Sequence, residues 1–222
     1  PLITRFKSAE EKIDYLNFQK NNVYINDVIE RNNIRNDEEL KTLIEIISSS
    51  IGSLTNPTKL YNTFISKGNN NITNKTIALY LKYLEESFLI EKSKRFDVKG
   101  KNLLAREYKF YVVDTGLRSY LLGKKADRDM GHILENIVYL ELIRRGYKVY
   151  VGKVDDGEID FVAQNREGLK YYQVALTVRD DLVLERELKS LQKTGDYYPK
   201  YLLTLDKILQ KRSGVKHCNI ID

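Results

Sequence analysis

Residues 157–175 read Gly-Glu-Ile-Asp-Phe-Val-Ala-Gln-Asn-Arg-Glu-Gly-Leu-Lys-Tyr-Tyr-Gln-Val-Ala, and the fold of the second half of the chain can be inferred from them. Two largely apolar segments, 158–164 and 170–178, predict strands. The four residues 165–168 between them, Asn-Arg-Glu-Gly, are typical of a tight turn. The stretch therefore predicts two antiparallel strands joined as a hairpin.

The segments on either side of this hairpin complete an α/β unit. An amphipathic pattern predicts a helix over 131–145, and a strand follows at 147–152. After the hairpin come a predicted helix over 182–193 and a strand over 200–205. The order α-β-β-β-α-β is that of a restriction-endonuclease-like sandwich.

Three polar residues lie where that fold places its chemistry: Glu135 on the helix, Asp160 on one strand and Gln173 on the next. In nucleases of this fold, carboxylates at such places hold Mg²⁺, and a Glu-x-Lys pair on the last strand completes the site. Here Gln173 and Ala175 replace that Glu and Lys. Glu135 and Asp160 alone would hold Mg²⁺ weakly, so we expect a degenerate, inactive catalytic site.

The predicted helix over 182–193 leaves an alternative open. It carries Arg186, Glu187 and Lys189. If these side chains face the strands, they supply the charges that the last strand lacks. The chain would then be a Mg²⁺-dependent DNA nuclease with a rearranged active site.

The first half of the chain reads as helices followed by a hairpin. The predicted elements are helices over 9–31, 38–50, 57–65 and 73–87 and strands over 88–92 and 108–114. The last three of these helices and the basic hairpin that follows them make up a winged helix. In this arrangement the helix 73–87 takes the recognition position.

A short helix over 116–122 and a charged linker over 124–130 follow the predicted hairpin. We therefore expect two domains. Residues 1–123 form a helical segment and a winged-helix domain, and residues 124–222 form a PD-(D/E)xK nuclease-like domain. The predicted class is α/β, or α+β over the whole chain.

Charge is distributed unevenly. The chain has 37 Lys and Arg against 31 Asp and Glu, a net charge of +6. The segment 57–110, called here the basic segment, has eleven bases and five acids and so contains the whole excess. Such a segment indicates a polyanionic partner such as DNA. The candidate nucleic-acid-binding residues are Lys75, Lys82, Lys94, Arg95, Lys99 and Lys101.

Composition excludes several other classes. No apolar run approaches the roughly 20 residues of a membrane span, so we expect no membrane partner. One cysteine, Cys218, excludes a disulfide framework and a cysteine-based zinc site. His132 and His217 are isolated in sequence, and we expect both to be structural. A start at Pro1 without a signal peptide indicates a cytoplasmic protein and a piece of a longer chain.

Several motifs together resemble the C-terminal part of prokaryotic AAA-type P-loop ATPases. They are 109–118 (KFYVVDTGLR), 131–142 (GHILENIVYLEL), 158–162 (EIDFV), 171–175 (YYQVA), 186–188 (REL) and 198–206 (YPKYLLTLD). The resemblance implies a winged helix, a restriction-endonuclease-like tail of unknown function, and an ATPase module that this chain lacks. Because the chain contains no Gly-x-x-x-x-Gly-Lys-Ser/Thr, we expect ATP to bind only in that missing module.

These observations favour a regulatory, nucleic-acid-binding tail of an AAA-type ATPase. Two alternatives stay open: the Mg²⁺-dependent nuclease, and a protein-interaction platform that docks a protein partner, the ATPase module or a second copy of the chain. Apart from Mg²⁺ at the degenerate site, no cofactor is expected in this chain.

Overall fold

The computed structural model describes residues 5–18, 25–68, 72–122, 129–210 and 214–222. Its helices are α1 (Ala9–Phe18), α2 (Asn26–Asn32), α3 (Asp37–Ser49), α4 (Pro57–Ser66), α5 (Asn74–Glu86), α6 (Thr115–Leu122), α7 (Met130–Arg144) and α8 (Asp181–Gln192). Its strands are β1 (Ile90–Asp97), β2 (Asn102–Val112), β3 (Lys148–Val154), β4 (Gly157–Asn165), β5 (Gly168–Val174), β6 (Lys200–Thr204) and β7 (Lys216–Asn219). The protein is therefore a mixed α/β protein, and none of the described helices is long and apolar enough to span a membrane.

All the described strands belong to one mixed sheet in the order β2-β1-β3-β4-β5-β6-β7. The central pairs β3–β4 and β4–β5 are antiparallel. The pairs β1–β3, β5–β6 and β6–β7 are parallel. After β5, α8 carries the chain back along the sheet, and β6 can therefore run parallel to β5. The predicted order α-β-β-β-α-β is present as α7-β3-β4-β5-α8-β6.

The chain divides into two compact units. The first consists of residues 1–91 and 112–128, and the second of residues 92–111 and 129–222. We expected the hairpin of β1 and β2 to belong with the helices of a domain 1–123. Most of the hairpin instead groups with the second unit, because β1 hydrogen-bonds to β3 in parallel register, with Arg95 opposite Val151.

The first unit is built on α3, α4 and α5. Asn56 caps α4 by accepting a hydrogen bond from the Lys59 N–H, and Thr73 caps α5 in the same way. The buried apolar residues of these helices include Leu43, Phe64 and Ile77. The single helix predicted over 9–31 is present as α1 and α2, and residues 19–24 between them lie outside the described residues.

The second unit has apolar cores on both faces of its sheet. Phe161 of β4 packs with Tyr139 of α7, whereas the next residue, Val162, packs with Leu188 of α8. Successive residues of a strand point to opposite faces, so α7 and α8 cover opposite sides of β4. The sequence did not predict the four-residue strand β7, whose apolar pattern is weak and which forms by pairing with β6.

Candidate functional site

A β-bulge positions Asp160. The register between β3 and β4 shifts between Tyr150 and Gly152, which leaves one extra residue on β4 in the stretch that contains Asp160. Bulges redirect the side chains that they carry and are frequent beside active sites. The Asp160 Oδ2 accepts a hydrogen bond of 2.8 Å from the backbone N–H of Val174. The bulge thus fixes this carboxylate against the end of β5.

Glu135 projects from α7 and has partners at both carboxylate oxygens. Its Oε1 accepts hydrogen bonds from Lys109 Nζ at 3.0 Å and from the Tyr111 hydroxyl at 2.6 Å. Its Oε2 lies 3.7 Å from Nδ1 of His132, one turn earlier on the same helix. The second half of β2 therefore supplies a cation and a phenol to an acid on α7.

Lys109 links two acids inside the second unit. Its ammonium lies 3.0 Å from Glu135 Oε1 and 2.7 Å from Glu158 Oε1. The Lys109 side chain is 4% exposed and that of Glu135 10%. A buried charge is tolerated only when it is paired and hydrogen-bonded, and the two acids meet that condition for Lys109.

Gln173 connects the strands to α8. Its Oε1 accepts a hydrogen bond of 3.3 Å from the Asp160 N–H, and its Nε2 donates one of 2.9 Å to Glu187 Oε2. The other Glu187 oxygen pairs with Arg186 at 2.8 Å. The Gln173 amide is therefore oriented by both neighbours, with its carbonyl engaged by the backbone of β4.

The charges of this cluster shift one another's pKa values. Burial alone would lower the pKa of the Lys109 ammonium, but Glu135, Asp160 and Glu158 outweigh it and raise that pKa. For Glu135, burial alone would raise the pKa, yet the contact with His132 and the charge of Lys109 hold it below its ordinary value. Burial, with the charge of Glu135 added, raises the pKa of Asp160 well above its ordinary value. Lys109 and Glu135 are thus an ion pair.

These residues do not fit Mg²⁺ as they stand. Lys109 and Tyr111 occupy one oxygen of Glu135, the Val174 N–H occupies one of Asp160, and the Gln173 carbonyl accepts from the backbone. Within the described part of the chain, no group of three or more His, Cys, Asp or Glu side chains is arranged to hold a metal ion. What the arrangement does is balance the buried charges of its acids with a lysine.

The sequence identified Glu135, Asp160 and Gln173, and the structure brings all three into this cluster. The sequence also pointed to Glu187 and Lys189 on the following helix. Glu187 contacts Gln173, whereas Lys189 is exposed. Sequence reasoning missed three further members, Lys109, Tyr111 and Glu158. One signal was available: Lys109 is a single charge within the apolar run 108–113 of a predicted strand, and a buried lysine requires an acidic partner.

Two candidate nucleic-acid-binding residues lie on α5 in the first unit. Lys75 is exposed near the start of the helix. Lys82 is also exposed and lies 3.6 Å from Glu86, one turn later. An exposed i,i+4 pair of this kind is weak, so both ammonium groups are accessible to an anion.

The other four candidates lie on the β1–β2 hairpin in the second unit. Lys94 is exposed and has no ion pair with the described residues. Arg95 pairs with Glu107 at 2.9 Å across the hairpin. In the turn, Lys99 pairs with Asp155 at 2.7 Å and Lys101 pairs with Asp196 at 2.6 Å. The structure thus brings these four together on one hairpin but engages three of them with acids.

Folding also redistributes the charge of the basic segment. Three of its bases, Lys99, Lys101 and Lys109, pair with acids that lie outside residues 57–110. Lys109 is buried and offers no charge to a ligand at the surface. Counting charges along the sequence therefore overestimates the positive charge that the segment presents to solvent.

Comparisons with known proteins give relatives without an assigned role. An uncharacterized protein of Haemophilus influenzae is 38% identical over 182 residues, which are 82% of this chain and 44% of the relative. The uncharacterized protein MJ1544 of Methanocaldococcus jannaschii is 31% identical over 206 residues, which are 87% of this chain and 43% of the relative. The chain spans less than half the length of these two proteins.

Among solved structures, the crystal structure of protein VC1899 from Vibrio cholerae matches 96% of this chain and 53% of that chain, at 11% identity and a TM-score of 0.25. Residues 1–128 match the family described as "Domain of unknown function (DUF8612)". This match covers more than half of the chain, and the chain therefore belongs to the DUF8612 family.

Proposed function

We propose that the chain is the nucleic-acid-binding, regulatory tail of a longer AAA-type ATPase, and that its second unit is a restriction-endonuclease-like domain without catalytic activity. The element order α7-β3-β4-β5-α8-β6 supports the assignment of the second unit. So does the convergence of Glu135, Asp160 and Gln173 from three of those elements. The length of the curated relatives, more than twice that of the matched region, leaves room for an ATPase module.

The proposed lack of catalytic activity rests on the buried ammonium of Lys109, which lies between Glu135 and Glu158. A divalent cation needs several free carboxylate or carbonyl oxygens. To gain them, it would have to break the hydrogen bonds that Lys109 and Tyr111 make with Glu135. The lysine already supplies the positive charge that balances these acids, so the site is stable without a metal.

For the first unit we propose a winged-helix-type domain with α5 in the recognition position. The exposed lysines Lys75 and Lys82 lie on this helix. In the second unit, the basic hairpin offers Lys94, which is exposed and has no ion pair within the described part of the chain. Contacts of this kind are made to phosphates, so they give affinity without reading a base sequence.

Binding of a fluorescently labelled DNA duplex, titrated with salt, tests this function. We expect the logarithm of the association constant to fall linearly with the logarithm of the salt concentration, because each neutralised phosphate releases counterions. Reversing two charges with Lys75→Glu and Lys94→Glu should weaken binding and flatten the slope. Lys148→Glu and Lys189→Glu change the net charge equally at exposed lysines outside the basic segment and serve as the control. Equal losses in both double variants, or binding that is independent of salt, would contradict the proposal.

A second candidate, a Mg²⁺-dependent nuclease with a rearranged site, is favoured by one specific observation. The lysine and the acid that β5 lacks are both in contact with the cluster: Lys109 reaches it from β2 and Glu187 from α8. Metal-dependent DNA cleavage that is lost in Asp160→Asn would support this candidate over the first.

A further inference from the structure

The turn between β1 and β2 is held by two ion pairs whose acids differ in exposure. Lys101 Nζ lies 2.6 Å from Asp196 Oδ2 and 3.3 Å from the Tyr171 hydroxyl, which also donates to Asp196. The Lys101 side chain is 45% exposed and that of Asp196 19%. Lys101 therefore belongs to a partly buried network that fixes the position of the turn.

Lys99, on the same turn, pairs with a more exposed acid. Its ammonium lies 2.7 and 2.8 Å from the two carboxylate oxygens of Asp155, in the turn between β3 and β4. The two side chains are 51% and 41% exposed. An exposed pair of this kind contributes little to stability, so another anion can replace the carboxylate at small cost.

A DNA phosphate offers the same kind of acceptor as this carboxylate. Both present anionic oxygens that accept charge-assisted hydrogen bonds from an ammonium group. Because Asp155 already occupies Lys99, a phosphate must compete with it. Lys94, four positions before the turn and free of ion pairs with the described residues, would meet no such competitor.

We propose that Lys99 is a phosphate contact that Asp155 masks in the unbound protein, while the Lys101–Asp196 pair keeps the turn in place. This inference rests on the proposed binding of nucleic acid and adds the regulation of that surface. Asp155 lowers the affinity for DNA, and a DNA backbone that docks on the hairpin displaces it from Lys99.

The neighbouring residue Asp156 provides a matched control. Asp155→Asn and Asp156→Asn change the net charge equally, and both residues are exposed in the same turn. Asp155 has a φ of +50°, a left-handed conformation that Asn tolerates well. Asp155→Asn thus removes the ion pair and preserves the turn.

Affinity for a labelled DNA duplex should rise in Asp155→Asn by about two- to five-fold more than in Asp156→Asn. In a Lys99→Met background, the two substitutions should have equal effects. Salt-dependent binding in which Asp155→Asn and Asp156→Asn behave alike would overturn this inference and leave the proposed function standing. An absence of DNA binding in the wild type and in every variant would overturn both, whereas binding that appears only in Asp155→Asn would support the masking.

Discussion

Lys109 Nζ lies 3.0 Å from Glu135 Oε1 inside the second unit, although 26 residues separate them in the sequence. The pair joins the end of β2 to α7, and Glu158 on β4 approaches the same ammonium at 2.7 Å. Removing one partner of a buried ion pair leaves an uncompensated charge, which costs far more than removing both. The pair is therefore a structural element as well as the feature that argues against catalysis.

Lys109→Met should lower the free energy of unfolding by about 3–5 kcal/mol, because Glu135 and Glu158 lose their cation. Urea denaturation measures the change. The double variant with Glu135→Gln should recover a large part of the loss, since it removes one of the stranded charges. Lys148→Met, at an exposed lysine of β3, serves as the control and should change stability little. If the losses of stability caused by Lys109→Met and Glu135→Gln simply add in the double variant, the two residues are not energetically coupled and the account is contradicted.

Gln173→Glu should destabilise the protein by about 1–3 kcal/mol, because it sets a second carboxylate against Glu187, whose Oε2 lies 2.9 Å from the Gln173 amide. The exchange variant Gln173→Glu with Glu187→Gln keeps one acid and one amide at this contact. Its midpoint of thermal unfolding should lie close to that of the wild type. An exchange variant as unstable as Gln173→Glu alone would show that the amide does not serve as the neutral partner of Glu187.

Asn56→Ala should cost about 1 kcal/mol, because the Asn56 side chain caps α4 through the Lys59 N–H at 2.9 Å. Asn36 precedes α3 in the same way, but its side chain makes no capping hydrogen bond. Asn36→Ala should therefore cost less than half as much in the same denaturation experiment. Equal losses at the two positions would indicate that something other than the cap determines the effect.

His217 should make stability fall as the pH is lowered. The Gln210 N–H donates to its Nδ1 and Thr204 Oγ1 lies 2.8 Å from its Nε2, so the ring is neutral with its proton on Nε2. Burial lowers the pKa of His217, although Asp206 opposes this shift. The unfolded chain therefore binds more protons, and stability present above the ordinary value of 6.5 is lost as the pH falls toward the folded pKa.

Urea denaturation between neutral and mildly acidic pH measures this loss, which should shrink in His217→Gln. His132 should change stability with pH in the opposite direction, because its contact with Glu135 raises the pKa of the ring. It contributes stability below its ordinary pKa, so His132→Gln should enlarge the loss on acidification. Identical pH profiles of the wild type and His217→Gln would contradict the assignment of the neutral ring.

The parts of the second unit that depend on local sequence patterns were predictable. The apolar segments that became β4 and β5 and the helical pattern of α7 indicated the element order, and Glu135 and Asp160 followed from that order. The β1–β2 hairpin was predictable as two strands, but its position in the sheet was not. Its pairing with β3 is a contact between distant segments, Arg95 with Val151, which no local pattern encodes.

The cation of the site was missed for the same reason. Lys109 counted toward the positive charge of the basic segment, since a sum along the chain treats every lysine as exposed. Its burial depends on β2 lying within reach of Glu135, which only the fold decides. Asp160 likewise points at β5 because of a bulge, and a one-residue irregularity leaves no clear mark in the sequence.

We infer that this charge-balanced cluster does not catalyse phosphodiester cleavage. Incubation of supercoiled plasmid with the chain in Mg²⁺ or Mn²⁺, and again with the chain joined to the proposed ATPase module, provides the test. We predict that the plasmid stays supercoiled in both experiments, with Asp160→Asn indistinguishable from the wild type. Nicking or linearisation that requires the divalent cation and disappears in Asp160→Asn would contradict the claim and establish the nuclease in its place.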